Sequence, residues 1–268
     1  MKSVPHNKAH EIKPNGNEVK VLKFRAASLN IEIECLYGSH FYEFKPYLKA
    51  FQTPDISLRI SQEDIDRERL KHPEMKIPDV EVECERVAVT YDFGCLEPFV
   101  ALYKLAEAVL SFDTFLMHGA VVEKDGYAYM FTAPSGMGKS TRIQLWKEQY
   151  PDSIVINGDK PLIKVYSDGV FACGTPWCGK EKWNSNRMAP LHAIFLLERA
   201  EKDSIEEISL GKAFPLLLKQ SYWPSEPDAM RKTIQLLQAF EGKVKLYKFR
   251  STPTKEAVQL AFETARPR

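Results

Sequence analysis

The sequence predicts an α/β protein in two unequal parts, a small β-rich N-terminal subdomain and a larger domain built around a glycine-rich loop. Between residues 18 and 92, apolar side chains alternate with polar ones, which is typical of half-buried strands. From residue 96 onward, apolar side chains recur at three- and four-residue intervals between short, apolar, strand-like runs. We therefore expect a mobile polar tail over residues 1–17, the β-rich subdomain over 18–95 and the main domain over 96–268.

The composition is that of an ordinary globular protein. Of 268 residues, 44% are hydrophobic and 27% are charged, so the chain can bury a sizeable core. The formal net charge of +1 gives no global field that would attract nucleic acid or a membrane surface. No apolar run approaches the ~20 residues that span a bilayer, and no signal peptide is evident. The five cysteines are scattered and form no C-x-x-C pair, so we expect reduced thiols and a cytoplasmic location.

Three stretches of the N-terminal part have a readable pattern. Residues 55–60 and 79–91 are apolar at alternate positions, which predicts a strand in the first and a strand or hairpin arm in the second. Residues 62–70 are highly charged, and we interpret them as a solvated face or a surface loop. No residues in this part have catalytic spacing, so we expect the subdomain to support or gate the rest.

The stretch at residues 133–141, Ala-Pro-Ser-Gly-Met-Gly-Lys-Ser-Thr, has the order of a phosphate-binding loop between a strand and a helix. Glycines let such a backbone turn with positive φ and bring its N–H groups to phosphate oxygens, and the helix N-terminus adds its dipole. Lys139 can reach the β- and γ-phosphates, and the Ser140 hydroxyl can bind Mg²⁺. Ala133 replaces the first glycine of the usual G-x-x-x-x-G-K-[ST] pattern, which we treat as a tolerated variant; a chance glycine-rich turn is the competing interpretation. The predicted nucleotide-binding residues are Ser135, Gly136, Met137, Gly138, Lys139, Ser140 and Thr141.

A predicted hairpin places a histidine beside this loop. Asp125-Gly126 is a strong turn signal between two apolar runs, at residues 116–122 and 127–131. We therefore expect His118 on the strand that pairs with the one leading into the glycine loop. A lone histidine is more often a packed or surface group than a catalytic one, so the pattern alone leaves both interpretations open.

An aspartate follows the next predicted strand. Residues 153–156 are apolar and β-branched, which is typical of a buried strand, and Asp159 comes shortly after them. Positions just beyond the carboxyl end of a buried strand are where α/β folds place metal ligands and acid/base groups. Only one helix and one turn fit between Ser140 and Asp159, so we expect them on neighbouring elements. Mg²⁺ coordination or general-base chemistry is favoured over an ordinary turn aspartate.

A loop rich in glycine, tryptophan and lysine follows at residues 174–183. Its length, cationic character and position predict a lid or a substrate loop, with Lys180, Lys182 and Arg187 as candidate cations for developing phosphoryl charge. A solvated basic loop is the competing interpretation. The elements expected beyond it are a buried strand over 191–197 with a structural His192, helices over 211–219 and 229–240, a strand over 243–249 and a last helix with Thr252 as N-cap.

His118-Gly119, the Asp125-Gly126 turn, one strand and the run from Pro134 to Ser140 together resemble the catalytic core of the bacterial HPr kinase/phosphorylase family. That family shares its fold with phosphoenolpyruvate carboxykinase. In it, a His-Gly dipeptide precedes the glycine loop by one strand, and an Asp-Asp pair follows the next helix. The resemblance covers roughly residues 115–200 and implies a P-loop core with a mixed sheet and C-terminal helices.

The resemblance also implies roles for single residues. His118 would assist deprotonation of the acceptor hydroxyl or contact the transferred phosphate. Asp159 matches one member of the Asp-Asp pair, while Gly158 stands where the other would be, so Asp159 is implied as the base, as a metal ligand, or as both. The signature through which HPr kinase engages its own protein substrate is not evident, so HPr is not the expected acceptor.

These inferences predict an ATP- and Mg²⁺-dependent kinase that transfers the terminal phosphoryl group to a hydroxyl, on a serine of a peptide or protein or on a small serine-like molecule. The alternative, which Gly158 favours, is a nucleotide-binding regulatory protein without turnover. Another nucleoside triphosphate or pyrophosphate as donor and a homo-oligomeric assembly are left open, and neither nucleic acid nor a membrane is expected as a partner. The predicted catalytic residues are His118, Asp159, Lys139, Lys180 and Arg187, and the predicted metal ligands are Ser140 and Asp159.

Overall fold

A computed structural model describes residues 20–71 and 93–267 of the chain. The tail predicted over 1–17 and the strand predicted over 79–91 lie outside these residues. The described residues form a mixed α/β fold. A three-stranded sheet lies near the N-terminus, and a larger mixed sheet is built from the rest of the described chain.

The N-terminal sheet consists of β1 (Lys20–Ala26), β2 (Leu29–Cys35) and β3 (Ile56–Arg59). β1 and β2 form an antiparallel hairpin whose turn residues, Ala27 and Ser28, have φ of 49° and 65°, and β3 runs parallel to β2. The predicted alternation is confirmed on β2, where every second side chain is buried: Leu29, Ile31, Ile33 and Cys35.

The segment predicted as a solvated face or surface loop is a helix, α1 (Gln62–Lys71). Ser61 and Asp64 cap its start reciprocally, because Asp64 Oδ2 accepts from the Ser61 N–H at 2.9 Å and Ser61 Oγ accepts from the Asp64 N–H at 3.3 Å. Ile65 is the apolar residue that α1 buries. One buried apolar position gives almost no periodic signal, which is why the pattern did not predict the helix.

The predicted amphipathic helix is confirmed as α2 (Glu97–Ala108), which continues as a 3₁₀ turn over Val109–Phe112. Its buried side chains, Val100 and Leu105 among them, belong to the same apolar cluster as the strands of the N-terminal sheet. The domain boundary between residues 95 and 96 stays a prediction, and the packing joins α2 to the part that precedes this boundary.

The main sheet is mixed and, in the part of the chain that the structure describes, has nine strands. They are β4 (Thr114–Leu116), β5 (Ala120–Lys124), β6 (Tyr127–Thr132), β7 (Ile154–Asn157), β8 (Leu162–Val165), β9 (Val170–Cys173), β10 (Met188–Arg199), β11 (Ser204–Glu207) and β12 (Lys245–Ser251). The order is β4-β8-β9-β10-β6-β5-β7, with β12 beside β10 and β11 beside β12. β10 is the central strand, since its start pairs antiparallel with β9 and the rest runs parallel to both β6 and β12.

Two pairs of helices cover the main sheet. The first pair is α3 (Lys139–Gln149) and α6 (Lys255–Ala265), and the second is α4 (Leu210–Gln220) and α5 (Pro227–Gln238). On β6, Tyr129 packs in the apolar cluster of the first pair and Met130 in that of the second. Because successive side chains of a strand point to opposite faces, the two helix pairs lie on opposite sides of the sheet.

The hairpin predicted at Asp125-Gly126 is confirmed, with both residues at positive φ (54° and 83°) between β5 and β6. The position predicted for His118 within it is wrong. β5 begins at Ala120, so His118 lies in the connection from β4 to β5 rather than on a strand. Its N–H donates to the Gln220 carbonyl at 2.7 Å, outside the strand ladder.

The start of the last helix also differs from the prediction. The N-cap of α6 is Thr254, whose hydroxyl accepts from the Ala257 N–H at 3.3 Å, and not Thr252. Thr252 instead binds Asp203: the Asp203 carboxylate accepts from the Thr252 N–H at 2.6 Å and from the Thr252 hydroxyl at 3.0 Å. Because Thr252 already binds Asp203, its side chain does not cap α6.

Candidate active site

The glycine-rich loop leaves β6 after Thr132 and enters α3 at Lys139. Gly136 (φ 78°) and Gly138 (φ 95°) adopt left-handed backbone conformations, which residues with side chains rarely do. Ala133 is buried and lies outside the left-handed region, so alanine fits where the usual pattern has glycine. The first N–H groups of a helix have no intrahelical partner, so this end of α3 can bind an anion.

The Lys139 side chain folds back over the loop. Its ammonium donates to the carbonyl oxygens of Ala133 at 2.9 Å and Pro134 at 3.3 Å. Burial lowers the pKa of Lys139; the negative charge of Asp159 opposes this shift, and the positive charge of Lys160 adds to it. The ammonium is therefore held by neutral partners in a place where an anion would stabilise it better.

His118 and Asp159 are in direct contact. His118 Nε2 lies 3.2 Å from Asp159 Oδ1, and the Gly119 N–H donates to the Asp159 carbonyl at 2.9 Å. The hydroxyl of Thr132, at the end of β6, donates to the His118 carbonyl at 2.7 Å. The strand that leads into the glycine loop, the histidine and the aspartate are thus joined by a short chain of hydrogen bonds.

Asn157, the last residue of β7, shapes the turn that holds Asp159. Asn157 Oδ1 accepts from the N–H groups of Asp159 at 2.8 Å and Lys160 at 2.7 Å. Lys160 Nζ lies 2.8 Å from Asp159 Oδ2. Burial by itself would raise the pKa of Asp159, but the hydrogen bond from His118 and the charge of Lys160 outweigh it and lower the pKa to about 2. The carboxylate is therefore ionised at neutral pH.

Gly158 is required by the loop that packs against it. A Cβ at this position would stand 2.8 Å from the Cys178 carbonyl oxygen and 3.4 Å from that of Trp183. The Gly158 N–H also donates to the Trp183 carbonyl at 2.8 Å. Backbone atoms cannot swing aside as a flexible side chain does, so this packing excludes an aspartate at residue 158.

The same loop brings another acidic side chain to the site. Glu181 Oε2 and Asp159 Cγ each lie 3.6 Å from the point that a Cβ on Gly179 would occupy. Two carboxylates therefore line the site although only Asp159 follows β7. Sequence reasoning missed Glu181 because it lies in a Lys-Glu-Lys run whose mixed charges are typical of a solvated loop.

These groups line one cavity of about 510 Å³. It brings together most of the predicted site residues with three that the sequence did not single out as ligands. The predicted ones are His118, Ser135, Gly136, Gly138, Lys139, Ser140, Thr141, Asp159 and Lys180, and the others are Gly158, Gly179 and Glu181. Met137 does not line this cavity but a neighbouring one.

Of the three candidate cations, Lys182 and Arg187 do not line this cavity, so the structure does not bring Arg187 together with the other predicted catalytic residues. Arg187 forms a two-point ion pair with Glu123, with Nε–Oε2 at 2.8 Å and Nη2–Oε1 at 2.9 Å, so its guanidinium is already neutralised outside the cavity. Lys182 Nζ lies 3.1 Å from Glu43. Lys180 remains, because it lines the cavity with a side chain that is 90% exposed.

The loop over Asp159 is anchored to the N-terminal part. Trp177 Nε1 donates to the Pro98 carbonyl at 2.7 Å, and its ring meets that of Phe44 edge-on at 4.9 Å. The Tyr47 hydroxyl donates to the Ser185 carbonyl at 2.9 Å. These contacts favour a fixed wall of the site over the mobile lid that the composition of the loop suggested.

Three further residues were missed or set aside by sequence reasoning. Gln220, at the end of α4, places Oε1 2.9 Å from His118 Nδ1 although 102 positions separate the two, and no pattern signals such a contact. Lys160, whose ammonium contacts Asp159, was not singled out, because in the sequence it is only the residue that follows Asp159. His192, predicted to be structural, binds the Ala265 carbonyl through Nε2 at 2.7 Å and lines a separate cavity that shares no residue with the site.

Comparison with known proteins identifies one family. The family model described as "ScmC: SynChlorMet cassette protein ScmC" matches residues 84–248. No curated protein matches the chain. Among solved structures, the HPr(Ser) kinase/phosphatase from Coxiella burnetii is similar at 10% sequence identity, over 46% of this chain and 88% of that chain, with a TM-score of 0.27. A TM-score this low carries no argument about fold or function.

Within the described residues, every helix is too short or too polar to cross a bilayer.

Proposed function

This chain belongs to the family of SynChlorMet cassette protein ScmC, and we propose that it is a Mg²⁺-dependent kinase that transfers the terminal phosphoryl group of a nucleoside triphosphate to a hydroxyl. The observation behind the proposal is that one cavity combines the glycine loop with the His118–Asp159 pair. A phosphate loop alone accounts for nucleotide binding. The ionised carboxylate beside it adds a group that can take up a hydroxyl proton.

The loop side of the cavity would hold the donor. The N–H groups around Gly136 and Gly138 and at the start of α3 would bind phosphate oxygens. Lys139 would exchange its two carbonyl partners for a phosphate oxygen and gain a charge-assisted hydrogen bond. Since burial lowers the pKa of Lys139 among neutral partners, an incoming phosphate also favours its charged form.

The donor set of the cavity fits Mg²⁺ bound together with a nucleotide. Ser140, Asp159 and Glu181 supply hydroxyl and carboxylate oxygens, the ligands that Mg²⁺ prefers. In the ranges 20–71 and 93–267, no three His, Cys, Asp or Glu side chains converge to hold a metal by themselves. Mg²⁺ does not need such a cage, because it keeps waters and phosphate oxygens among its ligands. When bound, the ion would neutralise charge on the phosphates.

The opposite side of the cavity would receive the acceptor. The bond between the terminal phosphorus and the bridging oxygen of the donor breaks, a bond to the hydroxyl oxygen forms, and the hydroxyl proton passes to Asp159. A carboxylate with a pKa of about 2 is a weak base, which suits a reaction that depends more on positioning than on base strength. His118 Nε2 holds the carboxylate, and Lys180 stabilises charge on the equatorial oxygens.

A second cavity favours a nucleotide over pyrophosphate as the donor. It measures about 460 Å³ and adjoins the first at Gly138 and Thr141, which line both. Met137, Leu197 and Pro253 give it apolar walls suited to a nucleoside. The acceptor in this proposal is a serine hydroxyl of a peptide or protein, or a small serine-like alcohol.

One observation favours the alternative of a nucleotide-binding regulator without turnover. Both oxygens of Asp159 have partners, His118 at Oδ1 and Lys160 at Oδ2, so an acceptor hydroxyl must displace or share one of them. Gly158 does not favour this alternative, since loop packing explains the glycine and Glu181 supplies a second carboxylate.

A labelled-ATP assay against serine peptides and small alcohols, paired with calorimetry of ATP–Mg²⁺ binding, tests the proposal. We expect acceptor-dependent release of ADP. Lys139→Ala should lower kcat/KM at least ~100-fold, a loss typical of one charged group that stabilises a transition state. Asp159→Asn should still bind ATP and lose transfer. Lys219→Ala, an exposed lysine of α4, is the matched control.

Full activity of Lys139→Ala would show that the glycine loop is not the donor site. Tight ATP binding with no transfer to any acceptor would instead support the regulator.

A further inference from the structure

We infer that Gln220 is the positioning residue of this site: its side-chain amide sets the ring of His118 so that Nε2 faces Asp159. The inference rests on the proposed function, because it assigns a partner to the histidine of the same cavity. Gln220 itself does not line that cavity, so its action on the reaction would pass through His118.

Gln220 holds His118 at two points. Its carbonyl accepts from the His118 N–H at 2.7 Å, and its side-chain Oε1 lies 2.9 Å from His118 Nδ1. The second ring nitrogen, Nε2, lies 3.2 Å from Asp159 Oδ1. With one partner on each nitrogen, the imidazole ring has a single orientation that satisfies both contacts.

The amide is itself firmly placed. Gln220 is the last residue of α4 and is 6% exposed. The chain after it is joined to the segment before His118, since Ser221 bridges to Met117 and the Tyr222 N–H donates to the Leu116 carbonyl at 2.9 Å. α4 is buried against the main sheet through Leu217, so the helix end cannot drift away from the histidine.

The side-chain contact is separable from the backbone contact, which makes the inference testable. A residue that only had to end α4 and hold the 116–118 segment would need its carbonyl and no polar side chain. Gln220 instead directs its buried Oε1 at a ring nitrogen, where it accepts from an Nδ1–H. Asp159 Oδ1 is also an acceptor, so both ring nitrogens of His118 face acceptor oxygens, and the amide and the carboxylate together fix the ring.

Three variants test this assignment. Gln220→Leu removes the side-chain contact and keeps the backbone one, and Gln220→Glu keeps an oxygen of the same reach. Gln238→Leu is the matched control, because Gln238 is likewise the last residue of a helix, α5, but is exposed. The readouts are ring ¹⁵N signals of His118 at one fixed pH, ATP–Mg²⁺ affinity by calorimetry, and kcat with whichever acceptor the labelled-ATP assay identifies.

For Gln220→Leu we expect kcat to fall about 10- to 100-fold, the usual loss for a residue that orients a functional ligand, with ATP affinity unchanged. The His118 ring signals should lose the Nδ1–H pattern in Gln220→Leu and keep it in Gln220→Glu. The control should match the wild type in all three readouts.

Unchanged ring signals in Gln220→Leu would overturn the inference, even if kcat fell. Loss of the Nδ1–H pattern in Gln220→Glu as well would also overturn it, because the contact would then not depend on an acceptor oxygen. If Lys139→Ala loses ATP binding while Gln220→Leu matches the wild type in all three readouts, the proposed function stands and only the role of Gln220 is removed. Absence of ATP binding in the wild type would instead count against the proposed function, while the ring signals still decide the contact.

Discussion

Gly158 and Cys178 approach each other so closely that a single added carbon would collide. A Cβ on Gly158 would lie 2.8 Å from the Cys178 carbonyl oxygen, closer than real Cβ contacts come. The glycine after β7 is therefore part of the wall of the site, at a position where an acidic side chain would not fit. The carboxylate that the site gains from this wall is Glu181, three positions beyond Cys178.

Substitution of Gly158 should destabilise the protein. Gly158→Ala is expected to lower the free energy of unfolding by about 1–3 kcal/mol, the usual cost of overpacking, and Gly158→Asp by more. Gly211→Ala is the control, because Gly211 lies in α4 with nothing within 4 Å of an added Cβ; it should be neutral or stabilising by up to ~1 kcal/mol. Urea unfolding at neutral pH measures all three. A Gly158→Asp variant that is stable and more active would contradict this account.

Lys180 and Arg187 should behave differently, although the sequence made them equivalent. Lys180→Ala is expected to lower kcat about tenfold with little change in stability, because its side chain lines the cavity, is 90% exposed and has only a 4.0 Å contact with Glu181 to lose. Arg187→Ala should cost at most ~1 kcal/mol of stability, through the loss of its half-exposed ion pair with Glu123, and should leave kcat alone. Steady-state kinetics and urea unfolding separate the two outcomes. Equal effects on kcat would mean that Arg187 leaves Glu123 during turnover.

Trp177 should fix the position of the loop over Asp159 and have little effect on nucleotide affinity. Trp177→Phe removes the hydrogen bond to the Pro98 carbonyl and keeps an aromatic ring against Phe44, so we expect a loss of about 1 kcal/mol of stability. kcat should fall more than ATP affinity, because the loop carries Lys180 and packs on Asp159, whereas the glycine loop is anchored elsewhere. Trp223→Phe is the control: this exposed tryptophan also loses a hydrogen bond, to the Leu218 carbonyl, far from that loop in the chain. A larger effect on ATP affinity than on kcat would refute this role.

Acid stability should depend in part on the contact between α1 and α2. Lys104 Nζ lies 2.9 Å from Asp64 Oδ2. Burial by itself would raise the pKa of Asp64, but the hydrogen bonds from Lys104 and Ser61 outweigh it and hold the pKa below its ordinary value of 3.8. A depressed carboxylate pKa contributes stability that is present above the ordinary value and is lost as pH falls below it.

The difference in unfolding free energy between wild type and Asp64→Asn should therefore be constant near neutral pH and shrink below about pH 4. Urea unfolding over a pH series measures it. A difference that stays constant down to the acid limit would show that Asp64 titrates normally.

What the sequence predicted well is what neighbouring residues encode together. The glycine loop, the Asp125-Gly126 hairpin and the central part of β10 each depend on a short run of residues whose chemistry leaves few conformations. The edge strand β11 was not predicted, because its sequence Ser-Ile-Glu-Glu has one half-buried apolar residue and no alternation.

The contacts that complete the site depend on long-range packing, which no local pattern encodes. Gln220 contacts His118 from the end of α4, 102 positions later in the chain. Glu181 lies in the cavity because Gly158 and Gly179 have no side chains that would keep the loop away. Lys180 and Arg187 both have an acidic neighbour, but Glu181 lies in the same cavity as Lys180, whereas Glu123 on β5 holds Arg187 away from it.

Helix α2 has a consequence for how the molecule can be divided. Val100 and Leu105 face the N-terminal sheet, while the chain that follows passes directly into β4 at the end of the main sheet. Tyr103 on the same helix stacks on Tyr222, next to the segment that holds His118, with ring centroids 5.8 Å apart. A chain shortened to begin at residue 96 would expose the apolar face of α2 to water and remove Phe44, against which the ring of Trp177 packs. We therefore expect the two sheets to unfold in one cooperative transition, with the smaller sheet serving as structural support for the active site.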